Sequence, residues 1–402
     1  MKKDHKRKKS GFLLNVVRNE YYEGVSERLG IVQVVLYLSL LAFVVLSLLS
    51  NTELITYRNL YYFVKDLNAS AETVDVWNTD SVSYPTDDVQ SFTLYRQGLA
   101  VAGNTSVNVF TATGRQTISQ TLSYRNPVAV GRGKYLLVYD MGGREYSLYN
   151  SYTQIHAGKT DYPINGADVS DTGMYALITE SAEYTSVVSL YSSNFALLNV
   201  YNKNGYVMDV AINPKGNTVA MLSTTASKGS FYTEMMVCRV QETVAQATVT
   251  VADSMALSCV FTGNDVLSIL CTGGAYAYTS SGEILASYLF EGDTVAAASV
   301  TGDGIAVCLK KLGTSEKKHL LVFDRNGHVL YNGQHSDQVD AIARFDDTVY
   351  LQSAYGIAKL DAQNGTGLVI ECITEQKRML AVSDDEILLC SPQKAVYINF
   401  DS

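Results

Sequence analysis

Residues 169–178 read VSDTGMYALI, and residues 212–222 read INPKGNTVAML. Each is a short turn of Ser, Asn, Asp and Gly that feeds a run of apolar residues. Gly and Asn accept the positive φ that tight hairpin turns need. The run that follows has no polar face, as expected of a strand packed between two neighbouring sheets. The pattern returns as VGRGKYLLVY at 130–139, FTGNDVLSIL at 261–270 and VTGDGIAVCL at 300–309. It returns again as FDDTVYL at 345–351 and VSDDEILLC at 382–390.

A second kind of turn alternates with the first. Segments such as SLYSSNFALLNVY, YAYTSSGEILASY and LVFDRNGHVLYN join two strands that alternate apolar and polar residues. That alternation marks a partly exposed sheet face. One turn of each kind makes a four-stranded unit. The units begin near residues 89, 125, 164, 207, 254, 294, 338 and 378. Four strands repeated at about 40 residues predict a β-propeller, here with eight blades. A count of seven follows if one unit is miscounted. The last unit runs out after three strands, near Phe400. The missing strand is expected from the N-terminal side, at residues 72–77 (ETVDVW), so that both ends of the chain close the ring.

Upstream of the repeats the composition changes. Residues 1–30 hold eight Lys/Arg and four Asp/Glu, residues 31–50 hold no charge, and the rest is acidic within an overall net charge of −9. Residues 31–49 read IVQVVLYLSLLAFVVLSLL, long enough at 1.5 Å per residue to cross a hydrocarbon core of roughly 30 Å. A cleaved signal peptide has a shorter apolar core and a small-residue cleavage site, and Ser50-Asn51-Thr52-Glu53 is a poor one. An uncleaved anchor is therefore expected. Lys2, Lys3, Lys6, Arg7, Lys8, Lys9, Arg18 and Arg28 all precede it, which keeps the N-terminus in the cytoplasm and the body outside. The expected layout is a basic cytoplasmic tail (1–30), a transmembrane helix (31–50), a linker with the ring-closing strand (51–84) and an all-β propeller ectodomain (85–402).

The turn-then-strand signature, as in SDTGMYALI and NPKGNTVAML, resembles the repeats of WD-type and quinoprotein-type propellers. The layout of tail, span and propeller resembles a family of uncharacterised bacterial single-pass membrane proteins. The Trp-Asp pair of WD repeats is missing, since Trp77 is the one tryptophan. Such a resemblance implies a binding surface and no particular chemistry.

The residues themselves offer little chemistry. His5, His156, His319, His328 and His335 show no metal-ligand spacing. Asp87-Asp88, Asp346-Asp347 and Asp384-Asp385-Glu386 fall at turns, where Asp bonds to nearby backbone. Cys238, Cys259, Cys271, Cys308, Cys372 and Cys390 lie in apolar strands, and Cys271 and Cys390 hold equivalent places in blades three apart. Free, buried thiols are expected, although an outside location permits disulfides. No catalytic, cofactor or metal residue is therefore assigned. The 28 tyrosines fit either a strand-rich core or a contact surface for peptide or glycan. The sequons at Asn68, Asn104 and Asn364 matter only in a host that glycosylates Asn.

Any ligand is expected on the face built by the loops that lead into each innermost strand and those joining second to third strands. The latter are 141–144, 179–184, 224–230, 310–317, 353–356 and 391–394. The expected function is a non-enzymatic binding, scaffold or sensor module for a protein, peptide or envelope polymer. The alternative is an extracytoplasmic enzyme on the same fold, a hydrolase, lyase or quinoprotein-like protein. The acidic charge argues against a nucleic-acid partner.

Overall fold

The computed structural model describes residues 29, 32–39, 41–42, 81–311, 318–335, 339–365, 367–370 and 378–400. Among these, eight antiparallel four-stranded sheets follow one another. Seven are built from consecutive strands, over residues 90–121, 127–159, 164–203, 206–252, 256–289, 294–335 and 341–370. They are blades one to seven. Each begins within three residues of the position that the repeat spacing predicts.

The eighth blade closes the ring from both ends of the chain, as expected, but with a different strand. Its three inner strands are Arg378–Ala381, Glu386–Cys390 and Lys394–Asn399. The fourth is Ser81–Ser83, paired antiparallel with Lys394–Val396 through Val82↔Ala395. Residues 72–77 lie outside the described residues. Trp and β-branched residues made ETVDVW look like the better strand. What Ser81–Ser83 has instead is its place in the ring: Val82 and the following Tyr84 are buried in one cluster with Phe92 and Phe110 of blade one, and Tyr84 donates from its hydroxyl to the Ser391 carbonyl of its own blade at 2.7 Å.

The core is not one mass but eight seams. Each hydrophobic cluster joins two neighbouring blades, for example Leu136 and Val138 with Ala100, Ala102 and Val109, or Ile387 and Leu389 with Tyr350 and Ile357. The seam between blade eight and blade one packs Val82, Leu388, Cys390 and Ala395 against Phe92, Leu99 and Val101. This seam makes the ring continuous. It also explains the apolar second strands, since Gly98–Gly103 and Tyr175–Thr179 are buried at every residue. A strand with a blade on either side has no wet face. The outermost strands alternate, as Ala245–Ala252 does.

The turns behave as their composition requires. Gly173 and Gly216 sit at φ +87° and +68°, in the turns between first and second strands of blades three and four. A Cβ on Gly173 would lie 2.5 Å from the Tyr135 ring, and one on Gly216 2.2 Å from Thr172 Oγ1. Backbone conformation and space both demand glycine there.

Contacts divide the chain into the units Met1–Ser70 and Ala71–Ser402. In the first, Leu29 and residues 32–39 and 41–42 are helical, and their apolar side chains are exposed. Among the described residues no helix is long and apolar enough to cross a membrane. The remainder of the expected span at 31–50 lies outside the described residues.

Candidate functional site

The loops on the expected binding face are held stiffly. Side chains near the ends of second strands accept hydrogen bonds from the backbone that leads into an innermost strand. Asp140 Oδ1 accepts from Asn126 N at 2.7 Å, and Thr224 Oγ1 from Ala256 N at 2.9 Å. Ser186 Oγ, at the start of its blade's third strand, accepts from Val207 N at 3.0 Å. Asn104 serves blade one, accepting from Val89 N at 2.8 Å and donating to the carbonyls of Tyr124 and Arg125. Its amide is therefore structural, whatever its sequon. Asp87 is a turn anchor as well, accepting from Thr105 Oγ1 at 2.8 Å.

One loop departs from expectation. Residues 224–230 are not a long loop. The second and third strands of blade four run on as Thr218–Ser227 and Ser230–Arg239, ten residues each. They meet in a two-residue turn at Lys228-Gly229, both at positive φ. The described second and third strands of the other blades have five to seven residues. The surplus projects the hairpin by about 10 Å at 3.3 Å per residue. Tyr206, the first residue of blade four's innermost strand, pairs with Thr224, so residues 225–232 extend past it as a finger. The sequence signal was available: residues 218–239 contain neither Pro nor a pair of turn residues before Lys228-Gly229.

Exposed apolar residues lie on the finger and on the innermost strands of blades four and five. Phe231 on the finger is 47% exposed, Tyr206 67% and Met208 46%. Leu257, on the innermost strand of blade five, is exposed as well. Lys203 and Glu234 pair at 2.6 Å at the finger's base. Elsewhere on this face Met141 bridges to Ile164, and Tyr355 is exposed in the turn after Thr348–Ser353. Residues 312–317 of the blade-six loop lie outside the described residues.

Most other candidates are structural. Tyr95, Tyr149, Tyr175 and Tyr350 are buried, and Tyr95 and Tyr350 donate to the carbonyls of Lys134 and Ser383 in the next blade. Tyrosine is thus a seam residue here more than a surface one. His156 stacks on Phe195 at 4.4 Å. Cys238, Cys259, Cys271, Cys308 and Cys390 are buried free thiols, and Cys372 lies outside the described residues. Burial pushes the thiols of Cys271 and Cys390 up to about 11 and about 12. A thiol held protonated is a poor nucleophile. Asp346, Asp347, Asp384 and Asp385 lie in turns between first and second strands, where Lys359 pairs with Asp385 and Thr348 Oγ1 donates to Asp384. Among the described residues no group of three His, Cys, Asp or Glu side chains is placed to hold a metal ion.

Two carboxylates near the channel are unusual. Asp168, buried on the innermost strand of blade three, accepts from Ile212 N of blade four at 2.9 Å. Asp209 of blade four accepts from Ser258 Oγ at 2.7 Å and Cys259 N at 2.9 Å, both in blade five. Burial raises both above the usual carboxylate range, Asp209 to about 6.

Comparison with known proteins agrees with this geometry. Residues 71–398 match the profile of a family described as a family of unknown function, DUF5711. No curated protein matches the sequence. Among solved structures, the C-terminal WD40 domain of Sif2 is similar at a TM-score of 0.58 and 11% identity, over 82% of this chain and 99% of that one. Chaetomium thermophilum Sqt1, bound to the N-terminus of ribosomal protein L10, is similar at 0.53 and 13%, over 81% and 100%. BamB from Moraxella catarrhalis is similar at 0.52 and 12%, over 80% and 99%. At these identities the likeness is one of fold, an all-β eight-bladed propeller.

Proposed function

We propose that this chain, which belongs to the DUF5711 family, is a non-enzymatic scaffold that docks a protein or peptide on the face bearing the blade-four finger. The observation that carries this reading is the finger itself. A hairpin three residues longer per strand than its longest described counterpart carries exposed Phe231 past Tyr206, on a face where Tyr206, Met208 and Leu257 are also exposed on innermost strands. Rigid aromatic side chains on a fixed scaffold lose little entropy on binding, and exposed apolar clusters of this kind mark docking sites. The Sqt1 structure, with its bound N-terminus of ribosomal protein L10, supports a peptide-docking use of the same fold.

The reading places the scaffold at a membrane. Residues 31–49 carry no charge, and the described apolar side chains among them are exposed, as suits lipid contact. The basic residues before them orient the propeller outside the cytoplasm. The test is affinity capture from detergent-solubilised membranes with the full chain and with a Phe231→Ser/Tyr206→Ser variant. Partners recovered with the parent and lost with the variant are expected. The same partners recovered with both would refute docking at the finger. A reporter active only outside the cytoplasm, fused at the C-terminus, tests the orientation independently.

A further inference from the structure

The opposite face, built by turns between first and second and between third and fourth strands, carries a cleft of about 740 Å³ between blades three, four and five. That volume lies within the range of small-ligand sites. Its walls are tied together. Asn199 Nδ2 donates to the Val240 carbonyl and the Tyr201 hydroxyl to the Glu242 carbonyl, fastening the outermost strand of blade three to a turn of blade four. Asn213 Nδ2 donates to the Asn264 carbonyl, fastening the turns of blades four and five. A cleft framed this way is set before any ligand arrives.

The lining is rich in amides and balanced in charge. Lys215 and Arg239 face Asp265 and Glu242, and Arg239 and Glu242 approach to 3.8 Å. A polyanion finds no excess of positive charge there, and an apolar ligand finds only Met174, Leu198 and Val240 among the lining residues. Gln241 and Gln246 are exposed in the cleft, and Asn264 Oδ1 is buried without a donor among the described residues. A carboxamide offers donors and an acceptor on one rigid group, which matches a hydroxyl that both donates and accepts.

We infer that this cleft binds a neutral, hydroxyl-rich ligand, an oligosaccharide segment. The amides would hydrogen-bond the hydroxyls, and the apolar residues would cover the C–H face of a sugar ring. This site is separate from the finger and does not rest on the docking reading.

The probes are maltotriose and triacetylchitotriose, titrated into the full chain in detergent and followed by saturation-transfer NMR and calorimetry. At least one trisaccharide should bind. Gln246→Ala and Gln241→Ala should each weaken it about fivefold, the loss of one hydrogen bond, with an unchanged melting temperature. Phe231→Ser should leave sugar affinity unchanged, so failure here is distinct from failure of the docking reading. Binding of neither sugar, binding indifferent to both Gln variants, or binding of a triglycine probe instead would overturn the assignment.

Discussion

Asp168 Oδ2 accepts a hydrogen bond from the Ile212 amide at 2.9 Å, and so joins the innermost strand of blade three to that of blade four. Asp209 repeats the link from blade four to Ser258 and Cys259 of blade five. Ser91 Oγ does the same between blades one and two, accepting from Ala129 N at 3.1 Å. The innermost strands of neighbouring blades lie side by side in separate sheets, and side chains stitch together blades that no backbone ladder joins. Blades three to five, which support the finger, thus share a polar inner seam whose carboxylates are costly to ionise.

The pH dependence follows from Asp209. Its carboxyl titrates near 6 in the folded protein, above the usual value near 4 of an unfolded chain. A raised folded value means that the stabilising contribution is complete at low pH and is lost as pH rises through about 6. Stability should therefore increase from pH 7 to pH 5, and Asp209→Asn should flatten that slope. Thermal melts across this window decide it. An identical slope in the variant would remove Asp209 as the cause.

Ring closure rests on one short strand. Val82 is 4% exposed, whereas Ser81 and Ser83 face solvent. Val82→Asp should cost about 3 kcal/mol, because it places a carboxylate in the seam between blades eight and one. Ser81→Asp and Ser83→Asp should cost under about 0.5 kcal/mol, as exposed substitutions do. Equal losses at all three positions in urea unfolding would contradict the pairing seen here.

Arg344 is the buried cation of blade seven. Its guanidinium donates to the carbonyls of Phe323 and Ile305 in blade six and of Asp346 in its own turn. Arg344→Leu should destabilise by about 2–4 kcal/mol, since it leaves buried carbonyls without donors. Arg344→Lys should recover only part, because an ammonium cannot span the same acceptors. Full recovery by Lys in equilibrium unfolding would show that charge alone matters.

The thiols give a direct count. Cys271 and Cys390 lie in different seams, one within blades four and five and the other between blades eight and one. Thiol titration of the denatured, unreduced protein should find all six cysteines reactive. Two or fewer would mean disulfides that the blade positions forbid. Cys271→Ala should cost about 1 kcal/mol, against roughly 2–5 for a native disulfide.

The repeat was legible because each blade reuses the same local chemistry. A Gly or Asn turn with positive φ, then a strand apolar on both faces, can be read from VSDTGMYALI alone, and the spacing of such units counts the blades. The burial of Cys271, Cys308 and Cys390 was legible for the same reason, since they stand in those strands. The closing strand was not. Ser81–Ser83 is short and polar at two of three positions, and it becomes a strand only because Lys394–Asn399 offers it an open edge. Local propensity favours ETVDVW; a distant partner decides.

The finger and the cleft divide in the same way. The amino-acid order placed the turn between blade four's second and third strands within residues 224–230 and set Asn and Gln in the turns of blades four and five. Only the tertiary structure decided that the hairpin outruns its neighbours, and that turns distant in the chain meet around one cleft. Turn type and strand period are set by neighbours in sequence, within a few residues. Which side chains share a seam, a mouth or a cleft depends on closing a ring of eight blades, and closure is a property of the whole chain.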